Sequence, residues 1–365
     1  MLILFSTMTY AQLENGFYRV HNYKTERYVY VYDNTGKINI STTNADMGAI
    51  QLWKDHNRTI SDPASVIYVE NKGGTAYNLK SQGTSVYEII GYYVNIRPKG
   101  DAYQLYASNG GLVKYLADDE ETDVPDGQLG SISKGEYRNW IATPIDTETN
   151  YFGIRPNQII GDKKYKPFFA DFAFSFANEG MKAYYVSETY KHIAVIKEIK
   201  DEFIAANTPV IIGCGSDEPS SNKLNLFTNK GNQINDNMLK GVYFNNARRP
   251  KSKDARTKYD ANTMRVLGTT AEGKLGFVIS KDEYLAANEA YLSVPADSPE
   301  EFVLMTEEEL AAYKETEQGQ SISTIKTGNN TKGVFSVTGV KVADKIDGSF
   351  PKGIYIVDGK KIIIQ

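Results

Sequence analysis

At 365 residues the chain is too long for one ordinary domain, and two or three are expected. Hydrophobic residues make up 41%, enough to fill cores, which argues against wholesale disorder; a formal net charge of −4 gives no basis for nucleic acid or an anionic membrane as a partner. The single cysteine, Cys214, excludes an intrachain disulfide and any zinc cluster of several thiolates.

Residues 1–12, MLILFSTMTYAQ, are a short apolar run ending in small residues. They read as the tail of a secretory signal peptide cut after Ala11, with a buried first strand as the alternative. No other apolar stretch reaches about 18 residues, so no transmembrane helix is expected. From Gly16 to Asp146 short alternating strands are separated by turn residues. GFYRV (16–20) and RYVYVY (27–32) precede the turn DNTG (33–36). VIYVE (66–70) and AYNLK (76–80) flank NKGG (71–74), and AYQLY (102–106) and VKYL (113–116) flank NGG (109–111). Period-2 strands joined by Gly and Asn are hairpins. Three hairpin starts, spaced by about 35 to 50 residues, suggest a threefold internal repeat.

Residues 150–305 are strand-rich again. FFADFAFSF (168–176), KAYYV (182–186) and IAVI (193–196) read as strands. DEFIAANTPVI (201–211) matches DEYLAANEAYL (282–292), with Asp, Glu, Ala, Ala and Asn identical. An Asn-containing turn leading into an apolar strand is the physical content, and two copies suggest equivalent hairpins in a sandwich or barrel. A helix competes for 282–292, but Pro209 argues against one in the first copy. Residues 306–318 carry the best helix signal, with Thr306 as N-cap and Glu309 in capping-box position. The polar stretch 318–332 reads as a linker. VFSVTGVKV (334–342) and FPKGIYIVDGKKIII (350–364) then read as strands closed by a hairpin through Asp358-Gly359.

The expected architecture is all-β. Residues 12–149 resemble a β-trefoil of the ricin-type lectin kind. QLW (51–53) is similar to that family's Gln-x-Trp signature, RNW (138–140) is a partial copy, and the second unit has none. In the family this signature packs the core. Residues 150–305 resemble a β-domain common in exported proteins of Bacteroidetes-type bacteria, through AYYV (183–186) and ANTP (206–209); a β-sandwich or barrel-like domain is expected there. A helix and linker follow at 306–332. Residues 333–365 resemble the C-terminal sorting domain of the type IX secretion system, with Gly339, Pro351, Gly353, Tyr355, Gly359 and Lys361 at the expected places and Phe350 where Leu is usual. The resemblances imply export to the cell surface or medium.

Catalytic signatures are sparse. His21, His56 and His192 fall in no metal-binding spacing, and no nucleophile elbow, phosphate loop or dinucleotide fingerprint occurs. No metal or cofactor is therefore expected. Cys214 reads as a small strand-end residue. The acidic run 118–123 reads as a solvated loop, and RRPKSK (248–253) lacks the interleaved aromatics of a nucleic-acid site. Aromatics are the remaining route: Trp53, Tyr92, Tyr93 and Trp140 are candidates to stack on sugar rings or anchor a protein, against the plainer reading that they fill the core. The expectation is a non-catalytic, adhesin-like protein binding glycan or protein. The alternatives are a glycan-active hydrolase whose acids converge only in the fold, and a purely structural surface module.

Overall fold

The computed structural model describes residues 12–31, 50–53, 56–85, 94–109, 112–118, 128–130, 135–245, 256–323, 333–337, 339–346, 351–357 and 360–364. The chain forms two compact units, Met1–Leu304 and Met305–Gln365. The proposed leader, 1–11, lies outside the described residues.

The first unit begins with β1 (Gly16–Asn22), β2 (Tyr28–Val31), β3 (Ile50–Trp53), the short helix α1 (His56–Thr59), β4 (Ile67–Gly73), β5 (Ala76–Ser81) and β6 (Thr84–Ser85). It continues through β7 (Val94–Lys99), β8 (Ala102–Asn109), β9 (Leu112–Ala117), β10 (Gln128–Gly130) and β11 (Asn139–Pro144). Six of these close a ring. β1 pairs with β4, β4 with β5, β5 with β7, β7 with β8, β8 with β11, and β11 returns to β1, every pair antiparallel. Strands β2–β3, β6 and β9–β10 extend from the ring. The two-residue period explains the closure. Tyr18 and Val20, Ile67 and Val69, Tyr77 and Leu79, and Val94 and Ile96 are alternate residues on their strands, and all are buried in one core with Leu105 and Trp140. A closed ring leaves none of its six strands as an open edge.

Arg19 lies between Tyr18 and Val20 on the other face of β1 and is fully buried. Its Nη1 donates to the Asn150 backbone oxygen at 3.1 Å and to Asn150 Oδ1 at 2.7 Å, and its Nε to the Thr59 oxygen at 3.3 Å. Desolvation lowers its pKa to about 10, with nearby tyrosines opposing the shift.

The acidic run reads differently in three dimensions at its first residue. Asp118 is fully buried, taking hydrogen bonds from Thr25 Oγ1 and from Arg27 through both Nη2 and Nε, the latter at 2.8 Å. It therefore ties the end of β9 to the turn after β1, while 119–123 lie outside the described residues.

The rest of the first unit comprises β12 (Phe152–Gly153), β13 (Gln158–Ile160), β14 (Lys163–Phe168), β15 (Ala173–Phe176), β16 (Lys182–Tyr190), β17 (Ile193–Glu198) and β18 (Val210–Cys214). After them come β19 (Lys223–Phe227), β20 (Leu239–Val242), β21 (Met264–Thr269), β22 (Leu275–Val278), β23 (Glu289–Ser293) and β24 (Phe302–Met305). Ten strands form one sheet in the order β13-β14-β18-β16-β17-β24-β22-β21-β23-β20, and β12-β19-β15 form a smaller one.

The ten-stranded sheet contains a duplication. The path β14-β18-β16-β17 recurs as β20-β23-β21-β22. The pairs Ala183↔Ile212 and Val186↔Ile196 have counterparts Met264↔Ser293 and Leu267↔Phe277, each shifted by the same 81 residues as the sequence repeat. The repeat thus marks two equivalent multi-strand units rather than two hairpins, and 282–292 is turn and strand rather than helix. Asn207 and Asn288 hold the same place in the two copies, with φ of 62° and 55°. Asn tolerates this left-handed region better than most side chains, which accounts for the match.

The run 168–176 is not one strand. β14 ends at Phe168, and β15 starts at Ala173 in the other sheet. The alternation breaks because Phe168, Phe169, Phe172 and Phe174 are all buried, on both sides of a corner. Both Asn turns hold that corner: Phe169 N–H donates to the Asn288 oxygen at 3.0 Å, and Asn207 N–H to the Ala170 oxygen at 2.9 Å. The Lys166–Glu289 ion pair adds a link from β14 to β23, so the sheet curls back toward itself. Gly241 is required here, since a Cβ would come within 2.1 Å of the Phe169 ring.

The ring and the curled sheet are joined within this unit. The side-chain amides of Gln82 and Asn288 pair reciprocally at 2.7 Å in each direction. Gly83 N–H donates to Asp171 Oδ2 at 2.9 Å, and Phe17 meets Phe172 edge-on at 6.0 Å between ring centroids.

The second unit holds α2 (Glu307–Ser323) and a four-stranded sheet of β25 (Val334–Ser336), β26 (Lys341–Ala343), β27 (Gly353–Val357) and β28 (Lys360–Ile364). Thr306 Oγ1 accepts from Glu309 N–H at 3.2 Å, and Glu309 Oε2 accepts from Thr306 N–H at 2.8 Å, a complete capping box. The helix runs five residues past Gln318, into the stretch read as linker. Helix-tolerant residues such as Gln and Ser, with no Pro to stop it, permit the extension. Val357 pairs with Lys360, so β27 and β28 flank the Asp358-Gly359 dipeptide, which is outside the described residues.

Candidate functional site

The four aromatic candidates do not form a site among the described residues. Trp140 has 0% exposure and packs in the ring core, its Nε1–H donating to the Leu116 oxygen at 3.0 Å. An indole so placed cannot meet a ligand, and the core reading applies to it. Trp53 pairs with Tyr28 through its backbone, while Tyr92 and Tyr93 lie outside the described residues.

The ring instead presents a different aromatic. Tyr23, in the turn after β1, is 53% exposed. It is anchored by its backbone N–H, which donates to the Asn139 oxygen at 2.8 Å. It borders a cleft of about 570 Å³ shared with Lys99, Asp101, Glu136 and Asn139. The residues come from the turn after β1, the β7–β8 hairpin, the 3-10 turn Gly135–Arg138 and the start of β11, so closing the ring brings them together. A half-exposed ring beside carboxylates, an amide and an ammonium is a polar, shallow recognition surface. Lys24 pairs with Glu136 at 3.4 Å beside it. Sequence reasoning passed over Tyr23; its signal is a lone aromatic in the polar turn HNYKTE (21–26).

A larger cleft, of about 800 Å³, opens between the ring's α1–β4 connection and the second half of the unit. Pro63, Ile154, Pro156 and Phe168 are among its apolar lining residues, and of these only Pro156 is not buried. Arg58, Arg155 and Lys166 bring positive charge, and Asp62 and Glu218 negative charge. Asp62 is committed to structure: it caps the 3-10 turn Pro63–Ser65 by accepting from Ala64 N–H at 3.0 Å, and meets Arg58 Nε at 3.4 Å. Burial raises its carboxyl pKa, with the Ala64 N–H and Arg58 opposing. Nothing in local sequence pointed to this cleft, because its residues lie up to 230 positions apart.

The remaining candidates line neither cleft. Cys214 ends β18 partly buried, and desolvation pushes its thiol up to about 12, far from a reactive thiolate. His21 lies within β1 with its ring 5.0 Å from that of Tyr28. His192 is exposed in the β16–β17 turn. No group of three or more His, Cys, Asp and Glu placed to hold a metal occurs among the described residues. No helix among them is long and apolar enough to cross a membrane. No protein-family model matches the chain, and no curated protein matches it.

Proposed function

We propose that this chain is an exported, non-catalytic protein that binds glycan through its N-terminal ring, with the curled sheet as a rigid support and the C-terminal unit as an export element. The observation that carries the reading is Tyr23, held half-exposed at the mouth of a cleft with Asp101, Glu136 and Asn139. Sugar rings stack their C–H faces on aromatic side chains, while carboxylates and amides take the hydroxyls. The ring's six-strand closure with strands projecting from it supports reading residues 12–149 as a β-trefoil. The separateness of Met305–Gln365 supports reading that unit as an export element. A printed glycan array tests the binding: signal is expected for the parent chain and is lost for Tyr23→Ala. An empty array with a positive pull-down from surface proteins would move the ligand from glycan to protein. Fractionation of native cells tests export, and finding the chain in the cytosol would refute that part.

A hydrolytic reading has one observation in its favour, the presence of Asp62 and Glu218 on the same cleft. Release of reducing ends from a polysaccharide, abolished by Glu218→Gln, would establish it.

A further inference from the structure

The cleft beside Tyr23 leads onto the outer face of the ring. Arg97 and Lys99 are alternate residues of β7 and both are exposed, so they stand on one face about 7 Å apart. Lys99 borders the cleft, and Arg97 lies further along the strand, outside it. Gln104 of β8 is opposite Arg97, and Asn139 of β11 is opposite Gln104. Their side chains form a chain of hydrogen bonds. Gln104, itself buried, donates from Nε2 to Asn139 Oδ1 at 3.0 Å, and its Oε1 accepts from Arg97 Nε at 3.2 Å and Nη2 at 2.9 Å. Arg97 Nη2 also donates to the Tyr115 hydroxyl at 2.5 Å. The Asn139 backbone oxygen in turn holds the Tyr23 N–H. One network thus fixes both the turn that carries Tyr23 and the Arg97 guanidinium.

A second arginine joins the first. The guanidinium carbons of Arg97 and Arg138 lie 5.3 and 4.7 Å from the centre of the Tyr115 ring, and that of Arg97 lies 5.1 Å from the centre of Tyr106. A stacked guanidinium keeps its in-plane N–H groups for a partner. Among the described residues neither arginine nor Lys99 forms an ion pair, and Arg97 Nη1 and both Nη groups of Arg138 make no hydrogen bond. Arg97 is therefore oriented by a neutral amide and a phenol without being neutralised by a carboxylate. Guanidinium groups held in place lose little freedom on binding, and their forked N–H groups match the two oxygens of a carboxylate or sulfate. Charge also sets a direction. Asp101 and Glu136 border the cleft, and Glu136 is engaged by Lys24 at 3.4 Å. An anionic group over the cleft would meet the unpaired Asp101, whereas along β7 it meets Arg97.

We propose that the ring's ligand is an acidic saccharide, bearing carboxylate or sulfate groups, that lays a neutral pyranose on Tyr23 and an acidic group on Arg97 and Arg138. The assignment rests on Tyr23 as a sugar platform and adds the ligand's class and its direction on the ring.

Calorimetric titration of the full chain tests it, using hexasaccharides of polygalacturonate for the carboxylate, of κ-carrageenan for the sulfate and of neutral agarose as control. At least one acidic saccharide is expected to bind about tenfold or more tightly than agarohexaose at low salt, and to lose that advantage at high salt. Arg138→Ala and Arg97→Gln should each remove most of the preference for the acidic saccharide, and Tyr23→Ala should weaken acidic and neutral binding alike. Two arginine variants are used because either could loosen the Tyr115 stack, and the one whose unfolding midpoint matches the parent decides the outcome. The proposal is overturned if no acidic saccharide binds or if both arginine variants keep the preference. Equal binding of agarohexaose, lost in Tyr23→Ala, would overturn it while sparing Tyr23 as a sugar platform. Loss of acidic binding in the arginine variants, with none in Tyr23→Ala, would support the arginine site and overturn the platform.

Discussion

Trp140→Phe separates a core role from a ligand-binding role for the indole. In the parent, Trp140 Nε1–H satisfies the Leu116 oxygen at 3.0 Å, and the ring is wholly buried among the strand side chains. Phe retains most of the apolar contact but cannot donate. The Leu116 carbonyl is then buried without that partner, which costs about 1–3 kcal/mol. Roughly 40 Å³ of lost volume, at about 24 cal/mol per Å³, adds about 1 kcal/mol. The expected loss is about 2–4 kcal/mol, read as a fall in the urea midpoint at unchanged slope. Saccharide binding measured below that midpoint should match the parent. An unchanged midpoint, or a selective loss of binding, would refute the reasoning.

Other perturbations probe the joints of the first unit. Asp118→Ala removes a buried carboxylate from Arg27 and Thr25, and should cost about 3–5 kcal/mol by urea denaturation. Gly241→Ala drives a methyl into the Phe169 ring and should cost about 1–3 kcal/mol in the same assay. Asp171 has its carboxyl pKa raised by burial, with the Gly83 N–H opposing. A folded pKa above the unfolded one means that the folded state holds more protons, so this group's contribution to stability falls as pH rises through the interval between the two values. Asp171→Asn keeps an acceptor for Gly83 and cannot ionise. It should gain stability relative to the parent as pH rises from 4 toward neutral, and a flat difference between the two denaturation series would contradict this.

Much of the fold was legible because its rules are local. Alternating pairs such as Ile67 and Val69 named the strands and their inward faces, and the Thr306–Glu309 capping box named the start of α2. The Asn207 and Asn288 repeat was visible because left-handed backbone favours Asn at both places. The strand run 168–176 failed where aromatic alternation was produced by two sheets meeting at a corner. Asp118 was read as solvated because its partner Arg27 lies 91 residues away. The clefts were not legible for the same reason. Arg58, Arg155 and Glu218 become neighbours only when the ring and the curled sheet pack. Tyr23 alone could have been found, as an aromatic in a turn with no strand face to serve.

The central claim is that the ring binds sugar at Tyr23. Titration of the strongest array glycan into the parent and into Tyr23→Ala tests it most directly. The account predicts at least tenfold weaker binding in the variant, about 1.4 kcal/mol, with the same unfolding midpoint. Equal affinity in the two proteins would contradict it.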